Sequence, residues 1–174
     1  TTYIIPVIVK DDELYENNET IIFTGSNPSG ATMGSQTTHT YTITNVTDND
    51  NKPTIDFNKT TDNYAEASGT PTVTVDLSAA SGLSSSINYT VAAGSPAATG
   101  SGTDYTVADG TATIAAGQTS TTIDLSIVAD NLDEEDEKFV ITMGSTVSNV
   151  TKGSDATHTA TITDDDDAPT IGFD

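Results

Sequence analysis

Asp164 to Asp167 place four carboxylates in a row, T-I-T-D-D-D-D-A-P, between two strand-like runs near the end of the chain. Two other stretches are nearly as acidic: D-D-E-L-Y-E-N-N-E at Asp11 to Glu19, and D-N-L-D-E-E-D-E at Asp130 to Glu137. Carboxylates this close repel one another, so cations or water must neutralise them. A run of acids in one loop is by itself usually a solvated surface, and a single acidic stretch cannot encircle an ion. Other chemistries have less behind them. His39 and His158 occupy matching T-H-T strings, where a strand-face histidine reads as packing or surface. Ser, His and Asp are all present, but no G-x-S-x-G elbow accompanies them, so no enzyme is expected. With no Cys there is neither a disulfide framework nor a thiolate metal site.

The whole composition leans the same way. Asp and Glu number 26 against 5 Lys and Arg, a formal net charge of -21. Such a surface argues against nucleic acid, anionic membranes and phosphate ligands as partners, since all three repel it. Thr and Ser are frequent, Trp is absent and Lys is scarce, a bias that suits half-exposed strands because Thr is β-branched. No leader-like segment opens the sequence and no apolar run approaches the length of a membrane span, about 20 residues. The chain reads as a mature segment or an excerpt of something longer. The sequons at Asn18, Asn45, Asn58, Asn88 and Asn149 carry little weight in so Thr-rich a sequence, and the T-x-T runs need no ice-binding face to explain them.

An internal repeat organises the sequence. T-T-H-T-Y-T-I-T at Thr37 to Thr44 returns as A-T-H-T-A-T-I-T at Ala156 to Thr163, and P-T-I-D-F at Pro53 to Phe57 returns as P-T-I-G-F at Pro169 to Phe173. The acidic stretches match as well, with one residue missing from the second. The period, 119 residues from His39 to His158 and 116 from Pro53 to Pro169, is the size of a domain. Residues 1–50 are expected to be the second half of one unit, 51–166 a complete unit, and 167–174 the start of a third.

Period-two alternation assigns the elements. In the complete unit it marks P-T-I-D-F, P-T-V-T-V-D-L, S-I-N-Y-T-V, T-A-T-I-A, T-I-D-L-S-I-V, K-F-V-I-T-M and H-T-A-T-I-T, with turn-rich segments between them and no persuasive helical period. Seven strands predict an all-β fold, a seven-stranded antiparallel β-sandwich repeated in tandem. The expected core is Ile55, Phe57, Val73, Val75, Leu77, Tyr89, Val91, Ile114, Ile123, Leu125, Ile127, Phe139, Ile141 and Ile162. The half-unit is expected to hold strands at Tyr3 to Val9, Thr20 to Thr24 and Thr38 to Thr44, with apolar faces in need of cover.

The string G-S-G-T-D-Y-T-V-A-D-G-T-A-T-I-A-A-G-Q-T-S-T-T-I-D-L-S-I-V-A-D-N, followed by D-E-E-D-E-K-F-V-I-T-M and closed by T-I-T-D-D-D, resembles the Calx-beta domain over the whole central unit. The resemblance implies an immunoglobulin-like sandwich. It also implies calcium, an ion that takes about six to eight oxygen ligands and therefore needs carboxylates from several loops meeting at one pole. Carried over position by position, the implied ligands are Glu66, Asp104, Asp130, Glu134, Glu137, Asp164, Asp165 and Asp166. Asn131 stands where strong binders of the family have a second Asp, and can ligate through its oxygen. In the half-unit the matching positions are Asp11, Asp12, Glu16, Glu19, Asp48 and Asp50, while Asp167 has no counterpart in the family pattern.

Such domains are known from the regulatory region of sodium/calcium exchangers and from arrays in large bacterial surface proteins. The expected role is an extracellular or cell-surface structural or adhesive module, stiffened by calcium and partnered by neighbouring repeats or by copies of itself in a filament. The alternatives are a calcium-sensing regulatory domain of a membrane transporter, or a calcium-independent spacer or filament subunit.

Overall fold

A computed structural model of the chain describes residues 2–44, 50–100 and 102–173. Backbone contacts divide it into two units, Thr1–Asn51 and Lys52–Asp174. No helix among the described residues is long and apolar enough to cross a membrane.

In the first unit, β1 (Glu19–Thr24) and β2 (Thr38–Ile43) form an antiparallel pair. The run Tyr3 to Val9, expected as a strand, has no ladder among the described residues. Alternation makes a segment fit to be a strand, but neighbouring backbone must supply the hydrogen bonds.

The second unit holds the other elements: β3 (Thr54–Phe57), β4 (Thr61–Ala65), a 3-10 turn (Glu66–Ser68), β5 (Thr72–Leu77), β6 (Ser85–Ala93), β7 (Tyr105–Thr106), β8 (Gly110–Ile114), β9 (Ser120–Asp124), β10 (Ser126–Ile127), β11 (Glu137–Ser148), β12 (Thr151–Lys152) and β13 (Thr157–Thr163). They form a five-stranded sheet in the order β4-β13-β11-β6-β8 and a four-stranded sheet in the order β12-β3-β5-β9, with a small β10-β7 pair. The alternating strings dictate the two faces. In T-V-T-V-D-L, Val73, Val75 and Leu77 are buried, and in T-H-T-A-T-I-T, His158, Ala160 and Ile162 are buried. Of the expected core only Tyr89 and Val91 are partly rather than fully buried, and Tyr64, Ile87, Ala98, Tyr105, Ala112, Met143, Val150 and Ala160 join it.

The strand plan differs from the expected one at the first strand. The chain leaves the four-stranded sheet after β3, turns at residues 58–60, and re-enters as β4 beside β13 in parallel. Other pairs in the two large sheets are antiparallel, apart from β12 with β3. His158 holds that corner. Its Nδ1 donates to the Lys59 carbonyl at 2.7 Å, its ring lies 5.8 Å from that of Phe57, and Thr159 N–H donates to Thr60 O at 2.8 Å. The T-I-D-L-S-I-V run also breaks at Leu125: β9 pairs with β5, and β10 pairs with β7.

Candidate metal centre

Four segments of the second unit deliver acids to one pole, held by apolar or backbone contacts beside the acids. β4 alternates inward at Tyr64 and delivers Glu66 into the 3-10 turn, where it is 5% exposed. Gly69 ends that turn at φ 69, a conformation glycine adopts without strain, and its carbonyl accepts Ile127 N–H at 2.7 Å. In D-Y, Tyr105 stacks on Phe139 in the core at 4.1 Å between centroids, which fixes Asp104 at the core's rim. Thr99 N–H donates to the Asp104 carboxylate, and Val128 N–H to its carbonyl at 2.9 Å. The loop after Val128 is open, and Asp130 closes a local turn by accepting Leu132 N–H at 2.8 Å. At its end, Glu137 opens β11 opposite Ile162 of β13.

The same register puts Asp136 beside the exit of β13, where its carboxylate accepts Asp164 N–H at 3.3 Å. Asp136 is a positioning residue that motif matching alone does not single out, though the antiparallel pairing of Glu137 with Ile162 implies it. Beyond β13 burial alternates along the run of four: Asp164 and Asp166 are half-buried, whereas Asp165 and Asp167 are exposed, and the Asp164 carboxylate accepts Asp166 N–H at 3.4 Å.

Glu66, Asp164 and Asp166 converge, with ligand oxygens all within 4.8 Å of one another. Oε2 of Glu66 and Oδ2 of Asp166 are buried without a hydrogen-bond partner. Burial raises the Glu66 pKa above the usual carboxylate range, helped by Asp130, Asp164 and Glu134 and opposed by the Asp130 backbone N–H. Burial likewise raises Asp166, with Asp164, Asp165 and Asp130 adding repulsion. Beside the trio, Glu137 is pushed up to about 7, first by burial and then by its hydrogen bond with Asp104 and the charge of that neighbour. Glu134 is raised by desolvation and by the charges of Asp130, Asp104, Asp164 and Asp166. These carboxylates therefore feel one another as a single cluster. Asp165 and Asn131 are exposed and stand outside the trio.

In the first unit, Asp12, Glu16 and Glu19 line one hollow of about 230 Å³ together with Lys10. Asp12 accepts Leu14 N–H at 2.9 Å, the same turn that Asp130 makes with Leu132, which aligns Asp12 with Asp130 in the two loops. Asp11 and the half-buried Asp50 are not among the residues lining that hollow, and Asp48 lies outside the described residues.

Clustered, half-buried carboxylates with unfilled oxygens are a poor arrangement for an isolated protein and a good one for a hard cation. The donors are all oxygen, with no His or Cys among them, so zinc and other soft-ligand metals fit less well than calcium or magnesium. Several carboxylates carried on an open loop suit calcium's larger and more adaptable shell. The residues present fit that ion.

The model of one protein family, the Calx-beta domain, matches residues 48–167. No curated protein matches the chain. Among solved structures, the apo-form Calx CBD1 domain superposes with a TM-score of 0.59 at 24% identity, covering 67% of this chain and 100% of that one. CBD12 from CALX1.2 superposes at 0.57 and 24% identity over 64% of this chain, which spans only 44% of that structure's length. The calcium binding domain CBD12 of CALX1.1 gives 0.58 at 25% identity, with 64% and 46% covered.

Proposed function

The chain belongs to the Calx-beta domain family, and on that premise we propose that its second unit binds calcium at the acidic pole and that the ion stiffens the module. The observation that carries this reading is the convergence of Glu66, Asp164 and Asp166, with buried carboxylate oxygens that no protein group satisfies. Bound calcium supplies the missing positive charge and ties the β4 exit to the end of β13. Asp104, Glu134 and Glu137 lie beside the trio and Asp130 orients the loop. Asp165 completes the proposed set from the outside of the run, and Asn131 offers only a weak oxygen. The hollow lined by Asp12, Glu16 and Glu19 is the corresponding place in the first unit, with Asp11, Asp48 and Asp50 completing its proposed set.

The repeat supports a structural role. Asp164 to Asp166 lie directly before a second copy of the P-T-I-x-F string, so an ion held there would restrain the segment leading into whatever follows. We therefore place the module in an extracellular or cell-surface protein built from such repeats. Similarity to the calcium binding domain CBD12 of CALX1.1 favours a second reading, a calcium-responsive regulatory domain.

Calcium titration by calorimetry tests the ion directly, with the triple variant Asp164→Asn, Asp165→Asn and Asp166→Asn as control. Saturable heat in the wild type that vanishes in the control is expected, and equal flat traces would remove the reading. Limited proteolysis of the 164–168 segment with and without calcium then tests stiffening.

A further inference from the structure

β4 is the outer strand of the five-stranded sheet and pairs with β13 alone, in parallel, from Thr61 beside Thr159 to Ala65 beside Thr163. Parallel ladders are slightly less stable per residue than antiparallel ones, so packing has more to supply. β4 has little of it. Of T-D-N-Y-A only Tyr64 is buried, whereas β5 and β13 each bury three side chains. Between β4 and the start of β5 lies a hollow of about 90 Å³, lined by Asn58, Asp62, Tyr64, Thr72, Thr74 and His158 among others. The Tyr64 hydroxyl stands 3.5 Å from His158 Nε2, the outer limit of a hydrogen bond. The strand thus rests on polar groups and open space rather than on a packed layer.

The two ends of β4 are held differently. Just before it, the Lys59 carbonyl accepts His158 Nδ1–H at 2.7 Å and Thr60 O accepts Thr159 N–H at 2.8 Å. Beyond it, Gly69 O accepts Ile127 N–H at 2.7 Å, and the positive φ of Gly69 lets the chain turn there. Residues 61–68 span these two fixed points. Near the pole end of the span, Thr163 Oγ1 donates to Tyr64 O at a long 3.4 Å. Glu66 there is 5% exposed, its Oε2 has no hydrogen-bond partner, and the oxygens it meets belong to Asp164 and Asp166. Like charge pushes this end of the span away from β13, and the Asp130 backbone N–H opposes it.

We propose that residues 61–68 form a cation-gated strap, closed on β13 when an ion joins Glu66 to Asp164 and Asp166 and lifted from it when the ion leaves. The strap rests on the calcium reading of the pole and names the element that responds to the ion. Lifting carries Glu66 into water, where an unpaired carboxylate costs little, and of the strap's side chains only Tyr64 and Glu66 leave buried positions. β13 keeps its ladder with β11, so the sandwich stays folded while the strap opens. Binding of the ion then includes closing of the strap, which lowers the apparent affinity by the fraction closed beforehand. A strap closed about a tenth of the time weakens binding about tenfold.

Amide hydrogen exchange of the full chain, followed by mass spectrometry in chelator and in calcium, tests the strap. In chelator, peptides covering 61–68 are expected to be about tenfold or more less protected than those covering β5, and calcium should close most of that gap. A staple gives the second readout. Asn63 and Thr161 are register partners, Asn63 is exposed and the chain has no Cys, so Asn63→Cys with Thr161→Cys allows a disulfide that holds the strap down. Oxidised, this double variant should keep 61–68 protected in chelator and bind calcium about tenfold tighter by calorimetry, and reduction should return both readouts to those of wild type. Calcium heat with 61–68 equally protected in both conditions, or with unchanged affinity in the oxidised variant, overturns the strap and leaves the site. Absence of calcium heat overturns the calcium reading and the strap with it.

Discussion

Glu66 places a carboxylate at 5% exposure with one oxygen unsatisfied, so its effect on stability depends on what stands opposite it. Without a cation the buried charge is a cost, and with one it becomes a ligand. Glu66→Gln should therefore act with opposite signs: in chelator it stabilises the fold by about 1 kcal/mol, and in calcium it weakens binding by about tenfold or more, roughly 1.4 kcal/mol. Paired melting curves in the two conditions check both signs, and a variant destabilised equally in both would assign Glu66 to packing alone. Glu137 adds a pH dependence. Its folded pKa is raised to about 7 from 4.5, so in chelator the folded state holds a proton that the unfolded chain has released across that interval. Metal-free stability should be full below about pH 4.5 and fall as pH rises through 7, with Asp166 and Glu134 contributing in the same direction. Calcium should reverse the trend above neutrality, since ligands bind it deprotonated. Apo melting temperatures that rise between pH 5 and 8 would contradict this account.

The β3–β4 corner is the element that sets the pole, because it moves the first strand from one sheet to the other and aims Glu66 at Asp164. His158 is its staple, and His158→Ala removes the hydrogen bond to the Lys59 carbonyl as well as opening a void beside Phe57. A loss of about 2–4 kcal/mol in urea unfolding is expected, and a change below about 0.5 kcal/mol would show that the corner holds itself. The corner also marks where sequence reading stops. Runs such as T-V-T-V-D-L announce their faces by period two, and nearly all of their expected core residues are buried. T-D-N-Y-A carries a single large apolar residue, so β4 has no alternation to read, and its parallel place beside β13 follows from a crossing that no local pattern encodes. The same limit applies within the site. The resemblance supplies Glu66, Asp164 and Asp166, but only the folded path after β13 separates the half-buried Asp164 and Asp166 from the exposed Asp165. Tyr3 to Val9 illustrates the converse, a strand-like string without a ladder among the described residues.

At the scale of the whole molecule, a net charge of -21 sets two kinds of cation dependence against each other. Diffuse repulsion is screened by any salt, with a Debye length of about 8 Å at physiological strength, so added sodium chloride should raise the melting temperature of the chelated protein gradually. A site of converging carboxylates responds to calcium at concentrations too low to screen anything. At a hundred times the dissociation constant the gain is about 2.7 kcal/mol, which for a unit of this size shifts the melting temperature by roughly 10 °C. Among the described residues, the buried core and the Glu66, Asp164, Asp166 cluster lie within Lys52–Asp174, so that segment should fold alone and carry the calcium shift undiminished. Calorimetric scans of the full chain and of residues 52–174, each in chelator with added salt and in calcium at constant ionic strength, separate the two effects. A shift reproduced by ionic strength alone reduces the acidic pole to a screened surface. A shift present in the full chain but lost from residues 52–174 moves the ion to the hollow lined by Asp12, Glu16 and Glu19.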